Sequence, residues 1–151
     1  MKALLQRVKK ASVSVNGQVV SSINQGLLIF LGVEKNDTQE NADYLAKKSA
    51  NLRIFEDENQ KMNKSISQID GEMLVISNFT LYANTTHGFR PDFINSMMPQ
   101  RAEEYVNKFV EECRKTNCFK KIKTGIFGAD MKVCVENDGP VTIIIESEKA
   151  K

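Results

Sequence analysis

The sequence predicts one α/β domain that is rich in antiparallel strands and has two main helices. Three observations support this prediction: the chain has 151 residues, strand patterns fill residues 3–33, and two later segments have helical periodicity. A chain of this length is one domain and can bury a sizeable core without a disulfide or a structural metal. No internal repeat, low-complexity segment or linker divides it, so a single domain is expected over residues 1–151.

Strand patterns dominate the N-terminal part of the chain. The first strand alternates valine with serine up to Val15, and Asn16-Gly17 then supplies the positive φ of a two-residue hairpin turn. The return strand continues to Ile23. Residues 27–31 are apolar without interruption, which is typical of a strand buried on both faces.

Two segments have helix patterns. Asp37 followed by Glu40 has the spacing of a helix start, and this first helix is expected to end near Asn51. The second helix is expected over residues 99–114, with Pro99 in its first turn. Its apolar side chains form one continuous face, made of Ala102, Tyr105, Val106, Phe109, Val110 and Cys113.

The segments around residue 73 combine loops with a buried strand. Residues 56–72 are polar and rich in turn formers, which indicates a surface excursion with short strands. A second buried strand starts at Met73, and alternating apolar residues extend this pattern to Ala83. Residues 84–98 form a long loop, and a loop of this length in a compact domain is more often functional than idle.

Composition excludes several classes of protein. The 21 basic and 19 acidic residues leave a formal charge of +2, which argues against a polybasic tail protein, an acidic disordered chain or a histone-like binder. One histidine and three cysteines without paired zinc spacing predict neither a metal site nor a cofactor, and the thiols are expected to be free in a reducing cytosol. The cysteines are Cys113, Cys118 and Cys134.

The hydrophobic segments are short. The N-terminus lacks the apolar stretch of a signal peptide, and the longest nearly apolar run, residues 26–33, is far below the ~18 residues that span a bilayer. We therefore expect a soluble, cytoplasmic protein that does not contact membranes.

The first candidate site is the end of the strand that starts at Met73. Ser77 and Thr80 place two hydroxyls three residues apart, with Asn78 and Phe79 between them. The structural interpretation is a strand whose hydroxyls are satisfied; the functional one is a strand end that offers a hydroxyl and main-chain N–H groups to a ligand. The only imidazole, His87, has no Ser-His-Asp spacing to support a triad.

The second candidate lies near the C-terminus, between a strand pattern over residues 131–136 and another that ends at Ile145. Asp138-Gly139 is typical of a hairpin turn, but Pro140 removes an N–H where the next strand should pair. About 5–6% of X–Pro bonds in folded proteins are cis. A cis bond here would leave carbonyl oxygens able to hold an ammonium group.

Basic residues are concentrated in residues 108–123. This segment contains six basic and two acidic residues, so its formal charge is +4 and that of the rest of the chain is −2. One interpretation is a solvated helix end followed by a charged loop. The other is a patch that contacts phosphates, with Phe119 as a stacking group and Arg90 as a further contributor. The residues proposed for this role are Arg114, Lys115, Lys120, Lys121 and Lys123.

Taken together, these segments resemble the D-aminoacyl-tRNA deacylase family, also called the D-tyrosyl-tRNA deacylases, from Met1 to about Glu146. The similarity depends on two signature motifs in order: a Ser-Gln-Phe-Thr-type strand, here Ser77–Leu81, and an Asn-x-Gly-Pro-Val-Thr turn, here Asn137–Thr142. Position 78 departs from the family pattern, since it is Asn where the family usually has Gln. Asn keeps the amide but shortens its reach by one methylene.

The resemblance implies a barrel-like sheet and a homodimer whose active sites lie near the subunit interface. It implies hydrolysis of the ester that joins a D-amino acid to the terminal adenosine of tRNA, and also of glycyl-tRNA mischarged on an alanine tRNA. A cis Gly139-Pro140 bond, braced by Arg7, would enter the partner's pocket and hold the substrate's α-ammonium. D-aminoacyl-tRNA is then the expected partner, with neither DNA nor a cofactor.

For the chemistry, the N–H groups of residues 78–80 are expected to stabilise the developing oxyanion. The family nucleophile has been taken to be Thr80, but no base is evident beside it. We favour attack by water assisted by the 2′-hydroxyl of the substrate's terminal ribose. Two rivals stay open: a non-catalytic tRNA-binding module, and a different small-molecule hydrolase or lyase that uses Thr80 or His87.

Overall fold

A long first strand organises the sheet. The computed structural model describes residues 1–117 and 121–147. Strand β1 (Lys2–Val15) pairs antiparallel with three others: β2 (Gln18–Ile23), β3 (Gly26–Gly32) and β8 (Lys132–Glu146). Two parallel strands extend the sheet beyond β3, namely β6 (Glu72–Ser77) and β7 (Ile122–Thr124). The sheet is therefore mixed, with most of its pairing antiparallel as predicted.

The two ends of the sheet approach each other. The Ser21 hydroxyl on β2 donates to the Thr124 carbonyl on β7 at 2.6 Å, and the Lys123 ammonium donates to the Ser22 carbonyl at 2.6 Å. These contacts nearly close the sheet into a barrel, which confirms the predicted barrel-like fold.

Two helices cover one face of the sheet and pack against each other. They are α1 (Gln39–Asn51) and α2 (Pro99–Asn117), so α1 ends at the predicted residue and α2 runs three residues further than predicted. The cap of α1 was predicted wrongly, because Thr38 is the N-cap and its N–H donates to the Asn41 side chain at 2.7 Å. Asp37 instead binds the Met1 ammonium and the Glu34 N–H.

Burial on both faces, predicted for residues 27–31, is confirmed in β3. Leu27, Ile29 and Leu31 pack with the two helices, whereas Leu28 packs in a second cluster on the opposite face. The approach of β3 to β6 is so close that a Cβ on Gly26 would lie 1.7 Å from the Glu72 carbonyl oxygen. A glycine is therefore required there.

The polar excursion contains the short strands that were predicted. They form a separate two-stranded sheet of β4 (Phe55–Glu56) and β5 (Met62–Lys64), followed by a short 3₁₀ helix over Ser67–Ile69. Strand β6 does not continue to Ala83 as predicted, because a second 3₁₀ helix, Phe79–Tyr82, begins directly after it. Apolar alternation alone could not distinguish these two conformations.

The turn predicted over residues 137–140 is also corrected. The chain does not reverse there, because the segments on both sides of it pair with the same strand, β1. Gln6 pairs with Thr142 and Val8 with Asn137, so residues 138–141 bulge opposite the single residue Arg7.

Candidate functional site

A cavity of about 700 Å³ lies at the carboxyl end of β6. The four predicted catalytic residues, Ser77, Asn78, Phe79 and Thr80, all line it. Its other walls come from the end of β3, the 93–98 loop, the start of α2 and residues 127–133. Ligand sites commonly form in such clefts beyond strand ends, where main-chain groups leave the sheet.

Local hydrogen bonds determine which N–H groups remain available in the cavity. The Asn78 N–H donates to the Leu31 carbonyl at 2.8 Å, and the Thr80 N–H donates to the Asn78 side-chain oxygen at 3.3 Å. The Phe79 N–H has no hydrogen-bond partner within the described parts of the chain. Of the three N–H groups predicted to stabilise an oxyanion, those of residues 78–80, only the Phe79 N–H is therefore free to donate to a ligand.

Thr80 is exposed, and its hydroxyl donates to the same Asn78 oxygen. An amide oxygen is not a base at neutral pH, so this contact orients the hydroxyl without activating it as a nucleophile. His87 is exposed on the long loop and does not line the cavity. Among the described residues that do line it, Asp130 has the only ionisable side chain.

The long loop contributes residues that the sequence did not single out. The Phe93 ring packs edge-on against Phe79, with centroids 5.0 Å apart, and the Ser96 hydroxyl donates to the Phe79 carbonyl at 3.2 Å. Only the loop's length indicated a functional role. Asp130 follows a glycine with φ of 75°, Gly128, and this glycine was the available signal for a turn that exposes a carboxylate.

Arg7, the residue predicted to brace the turn at residues 137–142, contacts the bulge on β8. Its side chain is buried, and its Nη1 donates to the Ile54 carbonyl at 2.8 Å while Nε donates to the Asp138 carbonyl at 3.1 Å. Gly139 and Pro140 are exposed, and the peptide bond between them is cis. These residues do not line the cavity of their own chain. One chain thus brings together residues 77–80 at one place and Arg7, Gly139 and Pro140 at another.

Several predicted RNA-binding side chains already have partners in the protein. The Lys115 ammonium lies 2.6 Å from the Glu112 carboxylate, and the Lys121 ammonium lies 3.5 Å from that of Asp70. The hydrogen bond and charge of Glu112 raise the pKa of Lys115. Arg114 donates to the Ile122 carbonyl at 3.4 Å. Lys123 is held by β2, as described above, and Lys120 and Phe119 lie outside the described residues.

Cysteine chemistry and metal binding receive no support from these residues. Across residues 1–117 and 121–147, no group of three or more His, Cys, Asp or Glu residues is placed to hold a metal ion. Burial raises the pKa of the Cys113 thiol to about 12, so this thiol is unreactive at neutral pH. Cys118 lies outside the described residues. No helix in the described part of the chain is long and apolar enough to cross a membrane.

The fold and the cavity define an α/β protein whose candidate site is a largely apolar cavity at a strand end, and the described residues that line it include no His, Cys or Lys. Over residues 4–146, the chain matches the model of the D-Tyr-tRNA(Tyr) deacylase family and therefore belongs to that family. This confirms the resemblance found in the sequence. Relatives named D-aminoacyl-tRNA deacylase match at full length, and the chain is accordingly a hydrolase of this family.

Two relatives illustrate the similarity. The protein from Dictyoglomus turgidum is 52% identical over 100% of this chain and 96% of its own, and that from Aquifex aeolicus is 53% identical over 99% of both. A solved structure of a c-Myc DNA unwinding element binding protein has a TM-score of 0.93 at 44% identity, covering 99% of this chain and 100% of its own. That of a probable eukaryotic D-amino acid tRNA deacylase has a TM-score of 0.83 at 14% identity, covering 96% and 98%, and shows the common fold.

Proposed function

We propose that this chain hydrolyses the ester bond of D-aminoacyl-tRNA, releasing the D-amino acid and tRNA, and so performs chiral proofreading in translation. The observation that carries the proposal is the strand-end cavity lined by residues 77–80, in a chain of the D-Tyr-tRNA(Tyr) deacylase family. The proposed place of action is the cytoplasm, where aminoacyl-tRNA is used. The direct test is release of labelled D-tyrosine from D-tyrosyl-tRNA by the purified protein.

The proposed mechanism relies on electrostatic stabilisation. When water attacks the ester carbonyl, negative charge develops on its oxygen, and the unoccupied Phe79 N–H is available to donate to it. Thr80, held by Asn78, positions the substrate, and the 2′-hydroxyl of the terminal ribose assists the attacking water. An acyl group trapped on Thr80, or full activity on tRNA with a terminal 2′-deoxyribose, would contradict this mechanism.

We further propose that the active unit is a homodimer in which residues 139–140 of each chain enter the cavity of the other. Three observations support this arrangement: both residues are exposed, Arg7 holds the bulge that presents them, and neither lines the cavity of its own chain. Strand β8 also exposes apolar side chains, with Val135 at 41% and Ile144 at 59% exposure. A second copy would bury such surface.

In this arrangement the carbonyl oxygens of the bulge hold the substrate's α-ammonium. An L side chain would then collide with main chain, whereas a D side chain would point away. Glycine has no side chain to exclude, so glycyl-tRNA mischarged on an alanine tRNA is a further proposed substrate. We call residues 139–140, acting in this way, the gate. The gate distinguishes the configuration of the substrate's amino acid and not the identity of its side chain.

Mixed dimers test whether the gate acts in trans. One variant, Phe79→Pro, would be inactive because its cavity lacks the free N–H. The other, Gly139→Val, would be inactive because its gate is disrupted. Gly139 has φ of 131° and an added Cβ would lie 2.9 Å from the Val141 nitrogen, so a valine is not accommodated. Mixing the two should restore activity, because one site of each mixed dimer has a normal cavity and a normal gate. If the gate acts within one chain, no activity returns.

The alternative is a non-catalytic nucleic-acid-binding module. The basic residues near the end of α2 favour it, and one similar structure is named for binding a DNA unwinding element. That alternative predicts salt-dependent binding of tRNA with no release of amino acid. A hydrolase or lyase that depends on His87 would instead lose its activity in His87→Ala, a substitution that the proposed deacylase should tolerate.

A further inference from the structure

Within the long loop, Asn84 and Asp92 are paired, and residues 85–91 between them form an exposed segment. We call the Asn84–Asp92 pair the base and residues 85–91 the tip. Main-chain hydrogen bonds join Asn84 and Asp92 in both directions, at 2.8 and 3.1 Å, and the Asn84 side chain donates to the Asp92 carboxylate at 2.9 Å. The side-chain oxygen of Asn84 accepts hydrogen bonds from the Thr86 N–H at 3.2 Å and from the Thr86 hydroxyl at 2.8 Å. The tip therefore projects from a defined base.

Two adjacent side chains at the tip, those of Phe89 and Arg90, are exposed to solvent. Phe89 is 108% exposed, the highest value among the large hydrophobic residues that the structure describes. Arg90 is also exposed and forms no ion pair with any residue in 1–117 or 121–147. Aromatic residues and arginine are enriched at binding surfaces, and here the two types stand side by side and exposed.

The base of the tip lies beside the cavity. Phe93, the residue after Asp92, lines the cavity and packs on Phe79. Asp92 is three positions after Phe89 in the sequence, and an extended chain spans at most about 10 Å over three positions. A molecule whose end occupies the cavity would therefore reach the tip if it extended only a short distance beyond it.

We propose that the tip binds the single-stranded 3′ end of tRNA, with a base stacked on Phe89 and a backbone phosphate paired with Arg90. This inference rests on the proposed function, which puts the terminal adenosine in the cavity and leaves the preceding nucleotides outside it. Unpaired RNA is the partner that fits an exposed aromatic ring beside a guanidinium, because every base has a face that stacks and every nucleotide carries a phosphate.

The test compares two substrates, D-tyrosyl-tRNA and D-tyrosyl-adenosine, which lacks the preceding nucleotides. Phe89→Ala should raise KM for the tRNA about 5- to 150-fold and leave kcat unchanged, whereas KM for D-tyrosyl-adenosine should not change. Phe89→Trp should retain wild-type KM, because indole also stacks. His87→Ala, in the same tip, and Val19→Ala, an exposed apolar residue on β2, serve as matched controls.

Arg90→Gln gives an independent measurement. It should reduce the slope of log KM for the tRNA against log salt by about 0.7, the value for one phosphate contact on a single strand. The inference is overturned if Phe89→Ala leaves KM for the tRNA unchanged, raises KM equally for both substrates, or changes the association state of the protein. If the wild-type protein cleaves neither substrate, the proposed function fails, and the effect of Phe89→Ala on binding of uncharged tRNA still decides the inference.

Discussion

The side-chain oxygen of Asn78 accepts hydrogen bonds from both the main-chain N–H and the hydroxyl of Thr80. This contact closes the first turn after β6 and occupies the hydroxyl that would otherwise be the obvious nucleophile. The neighbouring Phe79 N–H has no such partner in the described part of the chain. The group at this site that is free to stabilise a negative charge is therefore a main-chain N–H, and Thr80 is fixed by its hydrogen bonds to Asn78.

Replacing Phe79 by proline should lower kcat on D-tyrosyl-tRNA about 100- to 1,000-fold relative to Phe79→Ala, the effect of losing one oxyanion donor. Both variants lose the ring, but only proline lacks the N–H. Phe79 is the first residue of a 3₁₀ helix and follows a residue with φ of −148° and ψ of 92°, a conformation that proline accepts. Equal kcat in the two variants would remove Phe79 from the mechanism.

Asn78→Gln restores the usual family residue and should leave kcat/KM close to that of wild type, because in the proposed mechanism this amide only holds Thr80 and does not contact the reacting ester. Asn78→Ala should destabilise the protein by about 1 kcal/mol, because it removes the cap of the 3₁₀ helix. Urea denaturation and steady-state kinetics would measure the two effects. A loss of activity in Asn78→Gln as large as in Phe79→Pro would indicate that the amide contacts the substrate.

Arg7→Lys should lower the free energy of unfolding by about 1.5–3 kcal/mol and reduce the preference for D over L substrates. A lysine ammonium cannot donate along both directions used by the guanidinium, towards Ile54 and Asp138. Arg53→Lys is the matched control, since exposed Arg53 also donates to a carbonyl, that of Asn63 at 2.7 Å. An unchanged D/L ratio in Arg7→Lys would separate Arg7 from the proposed gate.

The buried Cys113 thiol should make stability depend on pH in the alkaline range. Its pKa is raised from 9.0 to about 12, so the folded chain keeps a proton that the unfolded chain loses. The resulting stabilisation is fully present below pH 9 and should decline by on the order of 1.4 kcal/mol per pH unit above it. Urea denaturation from pH 8 to 10.5 should show a shallower decline in Cys113→Ala than in wild type. Parallel curves for Cys113→Ala and the exposed control Cys134→Ala would contradict this assignment.

Parts of the fold that depend on local chemistry could be predicted from the sequence. The hairpin at Asn16-Gly17 forms with φ of 50° and 78°, and the apolar stripe of α2 is the face that packs into the core. The 3₁₀ helix after β6 could not be predicted, because the Asn78 cap that starts it is compatible with the same apolar alternation as a strand. The bulge at residues 138–141 depends on pairing with β1, which lies more than a hundred residues earlier.

The site was predictable to a similar extent. Ser77–Thr80 are contiguous, so any fold keeps them together, and a strand end exposes them. Phe93, Ser96 and Asp130 reach the same cavity only through tertiary packing, and their local sequence offered two weak signals, the length of the loop and the turn glycine Gly128. The separation of the gate residues from the cavity of their own chain also depends on the whole fold.

We propose that main-chain geometry selects the configuration of an aminoacyl ester before the protein hydrolyses it. The most direct measurement is the ratio of kcat/KM for D-tyrosyl-tRNA to that for L-tyrosyl-tRNA, made on the same tRNA with the same protein preparation. We predict rapid release of D-tyrosine and release of L-tyrosine at the uncatalysed rate. Equal rates for the two substrates, or no release of D-tyrosine, would contradict the claim.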